Sequence, residues 1–211
     1  MTDIADPAPP RKQSRDARRA QVIEATIETL AERGYARTTL TDVARRAGIS
    51  HGLVLFHFAS KEGLLTETLR YLAAEYRDNW LTALAGAGPT PQAQLAALLD
   101  ADFKPAICAP ARLATWCAFW GEAQSRPLYQ AECGAKDDDY IQRLEAICAA
   151  LIVADRSALP PARVARVLRV TTEGVWLDMM TMTAPYASAE ARATVLTAAA
   201  AFFPDHFSAP D

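Results

Sequence analysis

The sequence has few side chains that bind metals or form disulfides, with four cysteines and three histidines in 211 residues. No two cysteines have the C-x-x-C spacing, and no histidine lies near them in the sequence. We therefore expect buried thiols in a reducing compartment, no metal site and no cofactor. A disulfide or a thiol redox role is the alternative, and no other feature of the sequence supports it.

Long apolar runs and strand patterns are also missing. The longest uncharged stretch, Asn79–Leu99, contains Gly86, Gly88, Pro89 and Pro91, so it indicates the end of a helix and a loop rather than a membrane span. The N-terminus lacks the apolar segment of a secretory signal, and no alternating β-branched run is bounded by turn residues. These absences predict a cytoplasmic, all-α protein that does not enter a membrane.

The common enzyme signatures are absent from the chain. It contains no G-x-x-x-x-G-K phosphate loop, no G-x-G-x-x-G turn and no H-E-x-x-H zinc motif. Three histidines leave few candidates for a catalytic metal. We expect no catalytic residues and no enzyme activity.

Charge is distributed unevenly along the chain, although the net charge is only −3. Residues 11–61 hold ten Lys/Arg and five Asp/Glu, whereas residues 62–211 hold twelve and eighteen. A basic unit before an acidic one indicates an anionic partner for the first. We predict a disordered, basic-ended tail over 1–14, a basic first unit over 15–60 and a second helical unit over 61–211. Basic residues of the tail and its junction, which are candidates for contact with the phosphates or groove of such a partner, are Arg11, Lys12, Arg15, Arg18 and Arg19.

Apolar residues repeat at helical spacing along most of the chain. The first helix is expected from 15 to 33 and is stopped by Gly34; Thr39, Ser50 and Ser60 are expected to cap the next three, the fourth ending near Leu84. Further helices are predicted over about 91–107, 110–125, 127–154, 161–184 and 188–203. The result is a fold of about nine helices.

Residues 38–58 read TTLTDVARRAGISHGLVLFHF and predict two short helices joined by a tight turn. The small Ala44 and Ala47 permit a close helix crossing, and Gly48 allows the unusual backbone angle of the turn. This is the pattern of a helix-turn-helix, in which one helix crosses the phosphate backbone and the next enters the major groove. A generic helical hairpin is the alternative.

The longer stretch TTLTDVARRAGISHGLVLFHFASKEGLL resembles the DNA-binding signature of the TetR family of bacterial regulators, and the match covers about residues 15–70. The resemblance implies an N-terminal three-helix DNA-binding unit and a C-terminal helical domain that binds a small ligand and dimerises. The chain departs from the family at Leu55, where Tyr is usual. Leucine cannot donate a hydrogen bond to phosphate, so we expect it to contact a thymine methyl instead.

Several residues of this stretch are candidates for contact with DNA. Helix N-termini and cations favour phosphate, as at Thr39 and Lys61. The outward side of the third helix, with His51, Leu53 and Leu55, is expected to reach base edges. Each candidate has a structural alternative, such as a helix cap, a solvated charge or a structural histidine. The full set is Thr39, Arg45, Arg46, Ser50, His51, Gly52, Leu53, Leu55, His57 and Lys61.

The second unit contains aromatic residues mixed with acids. Two interpretations stay open: core packing with a polar rim, and a pocket in which aromatic faces and carboxylates bind a cation. The W-C-A-F-W block, Pro127-Leu128-Tyr129 and the E-G-V-W-L block resemble the BetI-like, choline-sensing branch of the family, which implies a choline-like amine. Polyamines and an apolar aromatic ligand remain open. The candidate ligand-binding residues are Trp116, Phe119, Trp120, Tyr129, Glu173, Trp176 and Asp178.

The last two helices are the expected dimer interface, because the family resemblance implies a four-helix bundle across a two-fold axis. The predicted face comprises Val164, Val167, Leu168, Thr171, Val175 and Asp178. An ordinary intramolecular core is the alternative.

The sequence therefore predicts a ligand-responsive regulator, a repressor by family resemblance, that binds a palindromic double-stranded DNA operator as a homodimer. A small-molecule effector would release it, with the fourth helix connecting the pocket to the DNA-binding unit. The alternative is a helical adaptor that binds only protein. Salt dependence separates the two, since binding to phosphates weakens steeply with salt.

Overall fold

The computed structural model describes residues 14–122, 126–184 and 187–208, and every regular element in these ranges is an α-helix. The all-α prediction is confirmed. The predicted tail, including Arg11 and Lys12, lies outside the described residues. The helices are α1 Arg15–Arg37, α2 Leu40–Ala47, α3 His51–Phe58, α4 Lys61–Gly86, α5 Pro91–Ala101, α6 Pro110–Gly121, α7 Arg126–Ala154, α8 Pro161–Thr181 and α9 Ser188–Phe202.

Side-chain hydroxyls cap the N-termini of α2, α3 and α4, as the sequence predicts. Thr39 accepts a hydrogen bond from the backbone N–H of Asp42 at 3.2 Å and donates to the Asp42 carboxylate at 2.6 Å. Ser50 and Ser60 accept in the same way at the starts of α3 and α4. Each cap satisfies a backbone donor that the first helical turn leaves unpaired.

Two glycines shape the N-terminal unit through positive φ angles. Gly34 has φ 76° and introduces a kink in α1, which continues to Arg37 instead of ending at 33. Gly48 has φ 66° and ends α2 in the left-handed conformation, with its N–H directed at the carbonyls of Ala44 and Arg45. Glycine adopts this conformation without a Cβ penalty, so it can form the turn between α2 and α3.

The helix predicted over 91–107 is too long, because α5 ends at Ala101. Proline at 105 has no N–H and disfavours helical backbone at Lys104, so the chain turns from Asp102 onward. The early end leaves Asp102 buried at the centre of the C-terminal unit. The other predicted ends differ by a few residues, as at Gly121 and Thr181.

The buried apolar residues form three clusters, one of which lies between α1, α4 and α6 and includes Leu30, Leu69 and Phe119. α1, α2 and α3 enclose residues such as Val22, Val43 and Val54, whereas α5, α7, α8 and α9 pack around a second core that includes Trp80 of α4. α4 contributes to all three clusters, through Leu64, Leu69 and Trp80. α6 packs along α1 and also borders the second unit.

The face of α8 predicted to meet a partner is partly wrong. Val164, Leu168 and Val175 are buried in the core of their own subunit. Helical spacing identifies an apolar stripe on a helix but not the surface against which it packs. This stripe packs into the core of its own subunit. Val167 of the predicted face is exposed, as are Val170 and Leu177, which the prediction did not include.

In the described ranges, no helix is both long enough and apolar enough to cross a membrane. Cys108, Cys133 and Cys148 are buried, Cys117 is half-buried, and all four thiols are free.

Candidate functional site

The first candidate site is the outer edge of α3. Val54 and Phe58 face the core, which turns His51, Gly52, Leu55 and Phe56 outward. The predicted base-contacting residues His51 and Leu55 are thus exposed, whereas Leu53 is half-buried. The edge is one helical face, of a width that fits the major groove.

Phe56 was missed by the sequence analysis. Its side chain is 72% exposed, compared with 37% for Leu55 beside it. The signal was available, since an eight-residue helix with apolar residues at 53, 54, 55, 56 and 58 cannot bury them all on one face. An exposed phenyl ring at this position adds an apolar contact surface to the edge.

The two arginines of α2 have different environments. The Arg45 side chain is 68% exposed and bonds only the neighbouring Asp42, at 2.9 Å. Arg46 bonds the Glu32 carboxylate of α1, with Glu28 at 3.9 Å. Arg45 therefore keeps its donors directed toward solvent, while Arg46 is partly neutralised within its own subunit.

The start of α4 is held against α1 by Lys61. Its Nζ donates to the carbonyl oxygens of Tyr35 and Ala36, both at 3.3 Å. Cations are favourable near helix C-termini, where carbonyls are unpaired. In this position Lys61 links α4 to α1, and it is half-buried rather than fully solvated.

His57 lies at the end of α3 with its Nδ1 buried and without a hydrogen-bond partner among the described residues. Burial and the positive charges of Arg15, Arg19 and Arg18 lower the pKa of the imidazole, which favours its neutral form. The guanidinium of Arg19 donates to the His57 carbonyl at 2.6 Å and lies over the Phe58 ring. These contacts fix α3 against α1.

The second candidate site is a cavity of about 540 Å³ between α4, α6, α7 and α8. Five of the seven predicted ligand-binding residues line it, namely Trp116, Trp120, Tyr129, Glu173 and Trp176. Further lining residues that the sequence analysis missed are Tyr76, Asp102, Asp137, Tyr140, Ile141, Arg169, Val170, Thr172, Gly174 and Leu177.

Two predicted residues lie outside this lining. Phe119 is only 1% exposed and packs edge-on against Tyr35, with ring centroids 5.7 Å apart. Asp178 is exposed on α8. Helical phase explains the position of Phe119, which is turned away from the side of α6 on which Trp116 and Trp120 lie one turn apart.

Aromatic rings form much of the cavity wall. Trp116 and Trp120 stack with centroids 6.0 Å apart and an interplanar angle of 27°, and Tyr129 meets Trp116 edge-on at 6.3 Å. On the other side, Tyr76 meets Trp176 edge-on at 5.8 Å. Such faces carry negative quadrupole potential and attract cations.

Asp102 is the most unusual polar group in the cavity. It is fully buried, and its carboxylate accepts hydrogen bonds from Tyr76 at 2.9 Å and Tyr140 at 3.2 Å. Burial raises the pKa of this carboxyl to about 7, although the two tyrosine donors act in the opposite direction. No local pattern marked it, because its partners lie 26 and 38 residues away.

Three further charged groups line the same space. Tyr129 donates to Asp137 at 3.0 Å, and burial raises the pKa of that carboxyl too. Arg169 donates to Glu173 at 2.5 Å, one turn away on α8. In the described ranges, no group of three or more His, Cys, Asp or Glu side chains is arranged to hold a metal ion.

Both units match known protein families. The model for bacterial regulatory proteins of the tetR family matches residues 22–68, which include α2, α3 and the start of α4. The model for the C-terminal domain of BetI-type transcriptional repressors matches residues 91–204. The chain belongs to the TetR family. Its C-terminal part is of the BetI type, so the predicted resemblance is confirmed.

Curated relatives agree with this assignment. The HTH-type transcriptional regulator BetI of Burkholderia thailandensis is 34% identical over 174 residues, which are 80% of this chain and 84% of that protein. BetI of Burkholderia mallei is 38% identical over 121 residues, which are 56% of this chain and 60% of that protein. These relatives are transcriptional regulators rather than enzymes.

Solved structures share the fold at low identity. A transcriptional regulator from Pseudomonas aeruginosa PAO1 has a TM-score of 0.77 and 21% identity, covering 92% of this chain and 95% of its own. A regulator from Saccharomonospora viridis, solved in complex with choline, has a TM-score of 0.71 and 19% identity, covering 84% and 92%. The nine-helix architecture of the described residues is therefore that of TetR-family regulators.

Proposed function

We propose that this TetR-family regulator is a repressor that binds a palindromic operator as a homodimer and is released by a small cationic amine of the choline type. One observation carries the proposal: the exposed edge of α3 and the aromatic, carboxylate-lined cavity belong to one chain and are joined by α4 and α6. A protein with both sites can exchange operator binding for effector binding.

In this proposal the α3 edge reads bases while its surroundings bind phosphate. His51, Leu55 and Phe56 face the groove, and the apolar side chains of Leu55 and Phe56 are suited to contact thymine methyl groups. Arg45 and the N-termini of α2 and α3 contact phosphates on either side. The remaining candidates, Thr39, Arg46, Ser50, Gly52, Leu53, His57 and Lys61, orient α3 or add backbone contacts.

The dimer forms through α8 and α9 in the same proposal. Val167, Val170 and Leu177 are exposed apolar residues on one side of α8, and Val170 and Leu177 also border the cavity, so the interface would lie next to it. A second copy related by a two-fold axis would cover them. Two α3 helices would then enter successive major grooves about 34–36 Å apart, which implies a palindromic site.

The effector assignment is supported by the cavity's chemistry. The stacked Trp116 and Trp120 offer faces to a quaternary ammonium group, and carboxylates are close enough to balance its charge. The S. viridis regulator described above, whose fold is similar, was solved with choline. A neutral aromatic ligand would leave the carboxylates without a cation, whereas a polyamine could use both features and is distinguished by the test below.

Fluorescence anisotropy tests the proposal with the full chain and labelled duplex DNA taken from upstream of its own gene. We expect saturable binding that weakens steeply with salt, and release on addition of choline. Nuclease footprinting on the same duplex should show a protected site with two-fold symmetry. Spermidine and 3,3-dimethylbutan-1-ol serve as comparison ligands. Affinity that is the same for scrambled DNA, or insensitive to every amine, would contradict the proposal.

A further inference from the structure

The carboxylate of Asp102 lines the cavity without a positively charged partner. Both oxygens accept tyrosine hydroxyls, but no Lys, Arg or His side chain of the described residues forms an ion pair with it within 4 Å. Buried carboxylates are normally paired, because an isolated buried charge is costly. Asp102 borders the cavity but is 0% exposed, so a cation in the cavity would balance its charge across the hydroxyls of Tyr76 and Tyr140 rather than by direct contact. Because no resident cation is present among the described residues, that role falls to a ligand from outside.

The groups that face Asp102 come from every helix around it. Tyr76 of α4 and Tyr140 of α7 bond the carboxylate. The thiol of Cys108 and the indole N–H of Trp176 donate instead to its backbone carbonyl, both at 3.2 Å. The negative charge of Glu173 on α8 further disfavours ionisation.

The charged groups nearby do not neutralise the carboxylate of Asp102. Arg169, the basic residue of the cavity lining, bonds Glu173, and Asp137 has Tyr129 as its hydrogen-bond donor. In the empty cavity Asp102 therefore holds a proton at neutral pH to a substantial degree, since burial raises the pKa of its carboxyl to about 7.

We propose that Asp102 is the counter-ion of the bound effector, releasing its proton to solvent as a quaternary ammonium group enters the aromatic cavity. The inference rests on the proposed function, because it supplies the residue that recognises the charge of the effector. Tyr76 and Tyr140 stabilise the carboxylate formed in this step, and the aromatic rings face the methyl groups. Effector binding then becomes coupled to one proton.

This coupling gives selectivity for a permanent positive charge. An uncharged molecule of the same shape gains the aromatic contacts but does not stabilise the ionised Asp102. It should bind without releasing a proton and without preferring high pH. A quaternary amine should bind more tightly as the pH rises through about 7 and reach a plateau above it.

Titration calorimetry on the purified full chain tests the inference with choline and its uncharged isostere 3,3-dimethylbutan-1-ol. For the wild type we expect choline affinity to be about tenfold weaker at pH 6 than at pH 8, which follows from the ionised fraction of a group with pKa near 7. Repeating the titration in buffers of different ionisation enthalpy should detect proton release with choline and none with the isostere.

The variant Asp102→Asn removes the charge and keeps the shape. It should lose about tenfold or more in choline affinity at pH 8, lose the pH dependence and bind the isostere as before. Asp100→Asn is the matched control, since Asp100 lies two residues away, bonds Arg192 at 2.5 Å and does not line the cavity. Tyr140→Phe is a second variant, which removes one donor and should move the midpoint of the choline pH profile upward.

The outcomes separate this inference from the proposed function. Choline bound equally by wild type and Asp102→Asn, or equally at pH 6 and pH 8, overturns the role of Asp102 and leaves the effector assignment standing. An equal loss of choline and isostere in Asp102→Asn also overturns it, because that loss reports a damaged cavity. A wild type that binds no quaternary amine at either pH overturns the effector assignment as well.

Discussion

Arg112 of α6 donates to both carboxylate oxygens of Glu24 on α1, at 2.8 and 2.9 Å, across 88 residues of sequence. The same guanidinium reaches Glu75 of α4 at 3.1 and 3.2 Å. Because Arg112 also lowers the pKa of the Glu24 carboxyl, the pair stays ionised at neutral pH. One and two turns further along α6, Trp116 and Trp120 line the cavity. A single rigid helix thus joins the cavity to the first helix of the DNA-binding unit.

Replacing Arg112 by methionine should uncouple the two sites. The variant keeps the length of the side chain but loses the bonds to Glu24 and Glu75. α6 then retains its packing against α1 and the hydrogen bond from Thr115 to the Ile27 carbonyl, and it transmits movement to α1 less completely. Coupling between sites is typically about 5–150-fold in affinity, and we expect it to fall to about threefold or less while choline affinity itself changes little. Anisotropy of labelled operator with and without choline measures this.

Arg192→Met is the control for that experiment, since Arg192 makes a surface ion pair with Asp100 away from α6. It should retain wild-type coupling. If Arg112→Met also released operator normally with choline, the Arg112 ion pairs would not carry the signal, which would then pass through α4 or the packing of α6 on α1.

The two arginines of α2 should contribute unequally to DNA affinity. Arg45 is 68% exposed and pairs with Asp42 on its own helix, whereas Arg46 is 37% exposed and pairs with Glu32 of α1. Each phosphate contact contributes about one to the slope of log affinity against log salt. Arg45→Ala should therefore reduce the slope by about one, and Arg46→Ala should change it little. Operator titrations at four or five salt concentrations decide this, and equal changes in both variants would contradict the assignment.

The sequence was sufficient where structure is decided locally. Thr39, Ser50 and Ser60 were predicted as caps because a hydroxyl at a helix start needs only its neighbours three residues on. Gly48 was predicted for the same reason, since a left-handed residue is required by the turn itself. The cavity's Trp116 and Trp120 followed from their spacing on one helix.

Sequence reasoning was insufficient where contacts join distant parts of the chain. Asp102 was hidden inside a helix predicted over 91–107, and its tyrosine partners come from two other helices. The stripe containing Val164 and Leu168 was correctly apolar, but spacing cannot tell whether its own subunit or a partner covers it. Phe119 was grouped with its aromatic neighbours although helical phase turns it away from the cavity.

The neighbours Phe119 and Trp120 should respond differently to substitution. Trp120 is 39% exposed and lines the cavity, so Trp120→Ala should weaken choline binding by about 2–30-fold, the range of one cation–π contact, with little loss of stability. Phe119→Ala should instead lower the free energy of unfolding by about 3–5 kcal/mol, because it leaves a cavity in the core. Thermal unfolding and calorimetry on both variants measure the contrast. A larger stability loss at Trp120 than at Phe119 would contradict the burial of these side chains.

The stability of the protein should depend on pH through Asp102. An aspartate in an unfolded chain has a pKa of about 4, whereas burial raises the pKa of Asp102 to about 7, so between these values the folded state binds a proton that the unfolded state lacks. The contribution of Asp102 to stability therefore falls as pH rises from about 4 to about 7 and stays constant above.

Asparagine cannot ionise, and its amide offers one donor and one acceptor to Tyr76 and Tyr140, as a protonated carboxyl does. Without effector, Asp102→Asn should unfold roughly 5–10 °C above the wild type at pH 8, and the difference should shrink toward pH 5. Asp100→Asn should show no such pH-dependent difference, and a variant at 102 that is less stable than the wild type at pH 8 would mean that the buried carboxylate is stabilised by its surroundings even without a cation.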